Sequence, residues 1–124
     1  MDFSFYFALQ MMKVYLALPV LNESINLPAL LESLNNQSYS DFELFVCVNQ
    51  PEAWWNEDEK LSICRDNHKS MDLLHSATKI PINIIDRSSK GKGWGEKRFG
   101  VGWARKTAMD AINGRAIDND LILS

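Results

Sequence analysis

Glycine is scarce where a nucleotide cofactor would require it. The chain has 124 residues and six glycines, and the turn after its first apolar strand, "PVLNES", holds none of them. A dinucleotide site needs GxGxxG at that point so that the backbone can approach a pyrophosphate, which disfavours NAD and FAD. Four of the glycines cluster in "GKGWGEKRFG", but not in the GxxxxGK[ST] order of a P-loop. Cysteine is limited to Cys47 and Cys64, without CxxC spacing, so neither a disulfide framework nor a zinc site is indicated. Both read as buried, reduced thiols, Cys47 in an apolar run and Cys64 in a helical pattern. The two histidines, His68 and His75, have no acidic or cysteine partners at ligand spacing and are expected half-buried on a helix. No apolar run is long enough for a membrane span. The opening "MDFSFYFALQMMKVYLALPVL" is interrupted by Asp2, Gln10 and Lys13 and lacks the basic start of a signal peptide. A cytoplasmic location is therefore expected, with the full-length protein able to lie peripherally at a membrane.

A composition of 46% hydrophobic and 23% charged residues suits one folded domain with one core. Residues 1–11 read as an N-terminal extension and 12–124 as the domain. The net charge of -3 argues against nucleic acid as a partner. That average conceals a basic segment. From Arg87 to Lys106 there are seven basic residues and one acid, a net of +6 that leaves -9 for the remainder. A patch this compact suits a small polyanion.

The hydrophobic pattern alternates between strands and helices. "KVYLAL" (Lys13 to Leu18) and "FELFVCV" (Phe42 to Val48) are short, nearly continuous apolar runs ended by Pro19 and by Asn49-Gln50-Pro51. Strands apolar on both faces imply helices above and below, hence a parallel sheet. Leu27, Leu30, Leu31 and Leu34 form one helical stripe with Asn26 as its cap and Pro28 in its first turn. A second helix is expected over Glu57 to about Ala77, with Leu61, Cys64, Met71 and Leu74 on one side. "INIID" (Ile82 to Asp86) is a third strand, followed by a glycine- and lysine-rich loop. A helix from about Phe99 to Ile112 and a strand at Leu121-Ile122-Leu123 complete the order. The expected fold is α/β, a doubly wound, mainly parallel sheet, with ligands at the carboxyl ends of its strands.

Four stretches carry a more specific likeness: "PVLNE" after the first strand, "LPALLESLNNQSYSDFELFVCVN", "GVGWARKTAMDAI" and "NDLILS". In order and spacing they resemble the first nucleotide turn, the first helix and second strand, the Gly-x-x-x-Ala-Arg-Asn helix and the strand before the Asp-x-Asp motif of family 2 glycosyltransferases. These are inverting enzymes of the Rossmann-like GT-A fold, and the likeness covers residues 12 to 124. It implies a truncated domain, the nucleotide-binding half. The acidic metal motif is expected just after Ser124 and the catalytic carboxylate beyond it. The parent enzyme would transfer a sugar from a nucleoside diphosphate sugar, expected to be UDP-linked, to a saccharide or lipid-linked acceptor hydroxyl with inversion. A divalent cation, Mg or Mn, is implied for the full-length enzyme and none for this stretch alone. The alternative is a non-catalytic nucleotide-binding module of doubly wound fold.

The resemblance implies nucleotide contacts by Pro19, Leu21, Asn22, Glu23, Asn49 and Arg105. Glu23 would accept from a ribose hydroxyl, or else simply lead into the helix. Asn49 stands where the family usually has an aspartate that accepts the base N3–H; an asparagine carbonyl accepts the same bond, and a turn-forming role is the alternative. Arg105 falls on the stripe of Val101, Ala104, Ala108 and Ile112 that should face the sheet. There it needs a partner, either a diphosphate or a rim carboxylate such as Asp86. Lys92, Arg98 and Lys106, the last in place of the family's Asn, are candidates for a basic loop over the diphosphate. Trp54, Trp55, Trp94 and Trp103 suit either stacking or packing.

Two outcomes are expected of the purified chain. It catalyses no sugar transfer by itself, checked against donor hydrolysis and transfer assays. It also self-associates through an apolar face, checked by sedimentation over a concentration series, where a strictly monomeric species contradicts the expectation.

Overall fold

The computed structural model describes residues 13–37, 41–77, 79–96, 100–116 and 120–124; the proposed N-terminal extension lies outside them. The order is β1 (Val14–Val20), α1 (Leu27–Asn35), β2 (Phe42–Asn49), α2 (Leu61–Ser76), β3 (Ile82–Arg87), α3 (Val101–Asn113) and β4 (Leu121–Leu123), with two 3-10 turns, Glu52–Asn56 and Asp58–Lys60, before α2. All pairings are parallel, and the sheet order is β3-β2-β1-β4. The molecule is an α/β fold with helices on both faces of a four-stranded parallel sheet, Rossmann-like in plan.

The pleat explains why both faces are apolar. Along β1 and β2 successive side chains alternate between two cores. Tyr15, Ala17, Phe45 and Cys47 pack with Ala104, Ala108 and Ile112 of α3. Val20, Leu44, Val46 and Val48 pack with Leu27 and Leu31 of α1 and Leu74 of α2. Every residue of β2 is buried, as a central strand covered twice must be. The chain steps outward from β1 to β3 and then returns across the sheet to place β4 beside β1. That return creates a switch point, where doubly wound sheets open a crevice at the carboxyl rim.

Pro19 does not end β1, as the sequence suggested. The strand continues through it to Val20. Lys13 accepts from Leu121 of β4, whereas Val20 accepts from Asn49 on the β2 side. Alternation then turns the nitrogen of Pro19 toward β4, whose pairing ends at Leu16–Leu123. The missing N–H therefore costs no described ladder bond. Asn26 occupies the N-cap of α1 without a side-chain cap bond; its Nδ2 donates instead to Glu23 Oε2 at 2.7 Å. The helix expected from Glu57 begins as 3-10 turns and becomes α-helical at Leu61. His68 and His75, expected half-buried, are exposed.

The amino end of the sheet is clasped by one carboxylate. Glu43, 4% exposed, accepts from Asn83 Nδ2 at 2.5 Å and Arg115 Nη1 at 2.6 Å, and Lys13 Nζ lies 3.2 Å from its other oxygen. These groups tie β2 to β3, to the residue before β1 and to the turn after α3. Burial alone would raise the Glu43 pKa, but the Asn83 and Lys13 bonds and the Arg115 charge outweigh it and hold it below the ordinary 4.5. The cluster's contribution is thus complete above the ordinary value and is lost as pH falls through the depressed one. Glu43→Gln should cost roughly 1–3 kcal/mol at neutral pH. It should also flatten the fall of urea midpoint with acidity below pH ~4.5, as equilibrium unfolding across a pH series would record.

Candidate functional site

The carboxyl rim is assembled around buried side-chain amides. Asn49 closes β2 at 1% exposure, and Gln50 and Asn67 are fully buried. Asn49 Nδ2 donates to Val20 O at 3.0 Å and to Cys47 O at 3.4 Å, while its Oδ1 accepts from Trp94 Nε1 at 3.1 Å. Asn67, on α2, donates to Asn49 O at 3.3 Å and to Gln50 Oε1 at 3.0 Å. Its own Oδ1 accepts the N–H of Asn22 at 2.9 Å. Asn22 is left-handed at φ 56°, a conformation asparagine tolerates. Two residues further, Ser24 N donates to Asp66 Oδ2 at 3.1 Å and Ser24 Oγ donates to Asp66 Oδ1. The turn after β1 is thereby fastened to α2.

The glycine- and lysine-rich segment is docked on the same rim. Asp86 Oδ1 accepts from Ser88 N and Oγ, each at 2.9 Å, and from Ser89 N at 3.0 Å. Burial pushes the Asp86 pKa up, but the Ser89 and Ser88 bonds outweigh it, and the net direction is down. Glu52 accepts from Gly91 N at 2.9 Å and Gly93 N at 3.0 Å. Trp94 N donates to Gln50 O, and Glu52 N to Trp94 O, each at 2.9 Å, a short parallel bridge. Gly91 has φ +87°, and a Cβ at Gly93 would lie 2.6 Å from Glu52 N and 2.9 Å from Gln50 O. Over residues 88–96 these glycines let the backbone lie against the rim.

Trp94 is 7% exposed and carries the Arg87 guanidinium, whose Cζ is 4.4 Å from the ring centroid. The Arg87 Nε is buried with no hydrogen-bond partner. Beneath lies Cys47, fully buried; desolvation pushes its thiol up to about 12, against a smaller opposing effect of Arg87, so it stays protonated. Both cysteines are free and buried, as the sequence indicated.

The residues proposed from sequence fall into three groups. Pro19 and Leu21 are half-buried, and Asn22 and Glu23 exposed, all at the β1 end of the rim; Pro19 and Glu23 border a groove of about 90 Å³ beside α1. Asn49 is at the rim, but its amide is turned into the structure, the opposite of the orientation a base contact requires. Arg105, expected to face the sheet, is exposed, and Asp86 lies 3.8 Å from Lys92 instead. The reason is a narrow stripe: Ala104, Ala108 and Ile112 are fully buried, and Arg105 stands about 60° from the centre of that stripe on a 100° wheel. A long cation at such an edge extends to solvent. Lys106 pairs with Asp110 at 2.6 Å on the exposed face, and Arg98 lies outside the described residues. Lys92, through Asp86, is the only one of the three loop candidates that the described structure brings to the rim.

Arg87, Gln50, Glu52 and Asn67 were not singled out from sequence. Asn67 had a signal, since it lies three residues after Cys64 on an otherwise apolar helical stripe. Among the described residues no group of three or more His, Cys, Asp or Glu is placed to hold a metal ion. The divalent cation implied by the resemblance has no donor set among them. None of the helices described is long and apolar enough to cross a membrane.

Two substitutions test this construction. Gly93→Ala forces a methyl into backbone and should cost about 1–3 kcal/mol. Asn49→Asp, although it restores the residue type the resemblance favours, places a carboxylate against two carbonyls and should cost about as much. Thermal and urea unfolding of both variants would check each value. No family model, curated protein or solved structure matches the chain.

Proposed function

We propose that this domain binds a nucleoside diphosphate sugar at its carboxyl rim and is the nucleotide-binding half of an inverting, family 2-like glycosyltransferase. The observation that carries the reading is positional. The "PVLNE" turn leaves the carboxyl end of β1, whose amino half pairs with β4, the strand that resembles the one preceding the family's acidic motif. The basic segment beginning at Arg87 follows β3 onto the same rim.

In this reading Pro19, Leu21 and the exposed Asn22 border the base, and Glu23 accepts from a ribose hydroxyl. The Asn67 bond to Asn22 N and the Asp66 bonds to Ser24 hold that turn in one conformation, which lowers the entropy cost of binding. Asn49 acts from behind, bracing β1 and Trp94. Positive charge near the rim would stabilise the leaving diphosphate. In this reading deprotonation of the acceptor, saccharide or lipid-linked, falls to a carboxylate base.

Calorimetric titration with UDP, and separately with FMN and NADH, tests the proposal. Saturable UDP binding that weakens by about tenfold in Glu23→Ala, the equivalent of ~1.4 kcal/mol, is the expected result. A preference for flavin or dinucleotide rejects it. UDP binding by a longer chain that still transfers no sugar would instead favour the non-catalytic nucleotide module.

A further inference from the structure

We propose that Arg87, held on Trp94, is an oxyanion-binding residue that takes a phosphate or pyrophosphate group at the β3 end of the rim. This site was not among those read from the sequence, and it does not depend on the glycosyltransferase reading.

Among the described residues Arg87 is a cation whose buried Nε has no acceptor. Arg87 is the last residue of β3, in register with Asn49, and its side chain lies on the α3 face over Trp94. Its Nε is buried and unpartnered. Arginine carries five N–H donors and cannot discharge itself by losing a proton. Two neighbouring carboxylates are engaged elsewhere: Asp86 holds Ser88, Ser89 and Lys92, and Glu52 holds Gly91 and Gly93. Cys47 below it is a protonated thiol and cannot serve as counterion. An indole face stabilises a cation but accepts no in-plane hydrogen bond, so the Nε donor has no acceptor among the described residues.

The platform is rigid. Trp94 is fixed by its indole bond to Asn49, by its backbone bonds to Gln50 and Glu52, and by the close approach at Gly93. A guanidinium held over such a support keeps a planar fork suited to the two-pronged geometry of a phosphate oxygen pair. Over residues 87–96 the chain carries Arg87, Lys90 and Lys92 against one acid, Glu96, a net of +2, which favours an anion over a neutral ligand.

The test is titration of the whole chain with sodium pyrophosphate, with inorganic phosphate and UDP as separate arms. Calorimetry and the Trp94 indole N–H resonance are the readouts. Saturable one-to-one binding is expected, moving that resonance and weakening at least tenfold in Arg87→Ala. Arg87→Lys, which keeps the charge but not the fork, should lose a smaller factor. Lys79→Ala, a control for charge at the opposite end of β3, should change affinity less than twofold. Should Arg87→Ala unfold, Arg87→Lys and the resonance shift in the unaltered protein decide the matter. Failure to bind pyrophosphate or phosphate saturably, or equal binding by wild type and the Arg87 variants, overturns the inference even if UDP binds. Pyrophosphate bound through Arg87 with no gain from UDP upholds it while counting against the nucleotide reading.

Discussion

A side-chain amide buried away from water must find partners for both its donors and its acceptor, and Asn49, Gln50 and Asn67 do so largely by binding one another and the backbone around them. That requirement organises the carboxyl rim. Through Asn49 it joins β1 to β2; through Asn67 it fixes the turn after β1; through Trp94 it anchors the loop after β3. A buried polar cluster of this kind adds stability only while every member is satisfied, since a single orphaned amide carries its full desolvation cost. It also specifies one arrangement, because few alternative packings would satisfy the same donors and acceptors. The turns on the rim inherit their geometry from it.

The two ends of the sheet are secured by different chemistry. At the amino end the Glu43 carboxylate is compensated by Lys13, Arg115 and Asn83, a charged clasp sensitive to acid. At the carboxyl end the central fastening is a buried, neutral amide cluster, with Asp66, Glu52 and Asp86 holding the turns around it by accepting from backbone N–H groups. Lys92 is tied to Asp86 and Lys106 to Asp110. Arg87 alone of the described basic segment combines a buried donor without acceptor and a fixed aromatic support. That difference separates a rim cation with a role open to a ligand from cations paired on the surface.

Much of the fold was legible before the structure. The apolar runs at Lys13–Leu18 and Phe42–Val48 became β1 and β2, Leu27 and Leu31 of the leucine stripe are buried on α1, and β4 lies where its apolar triplet put it, because burial on two faces leaves a simple pattern. The misreadings share a cause. Pro19 looked like a strand terminator because its cost depends on which neighbouring strand its nitrogen faces. Arg105 looked sheet-facing because an ideal wheel does not show how narrow a stripe of alanines will be. Asn49 looked like a ligand contact because sequence cannot tell whether an amide points toward solvent or toward the backbone of the next strand.

What the sequence determined by itself is the alternation of strands and helices, the parallel sheet that doubly apolar strands require, and the presence of a basic segment after the third strand. These follow from local periodicity and from composition within a few residues. Tertiary structure alone decided which polar groups became internal braces and which remained at the surface. It set the partners of Asn67, the path of the glycine loop against Glu52 and the stacking of Arg87 on Trp94. Each of those depends on contacts between elements far apart in the chain, whose hydrogen-bond directions are fixed only when the sheet and its two layers of helices come together.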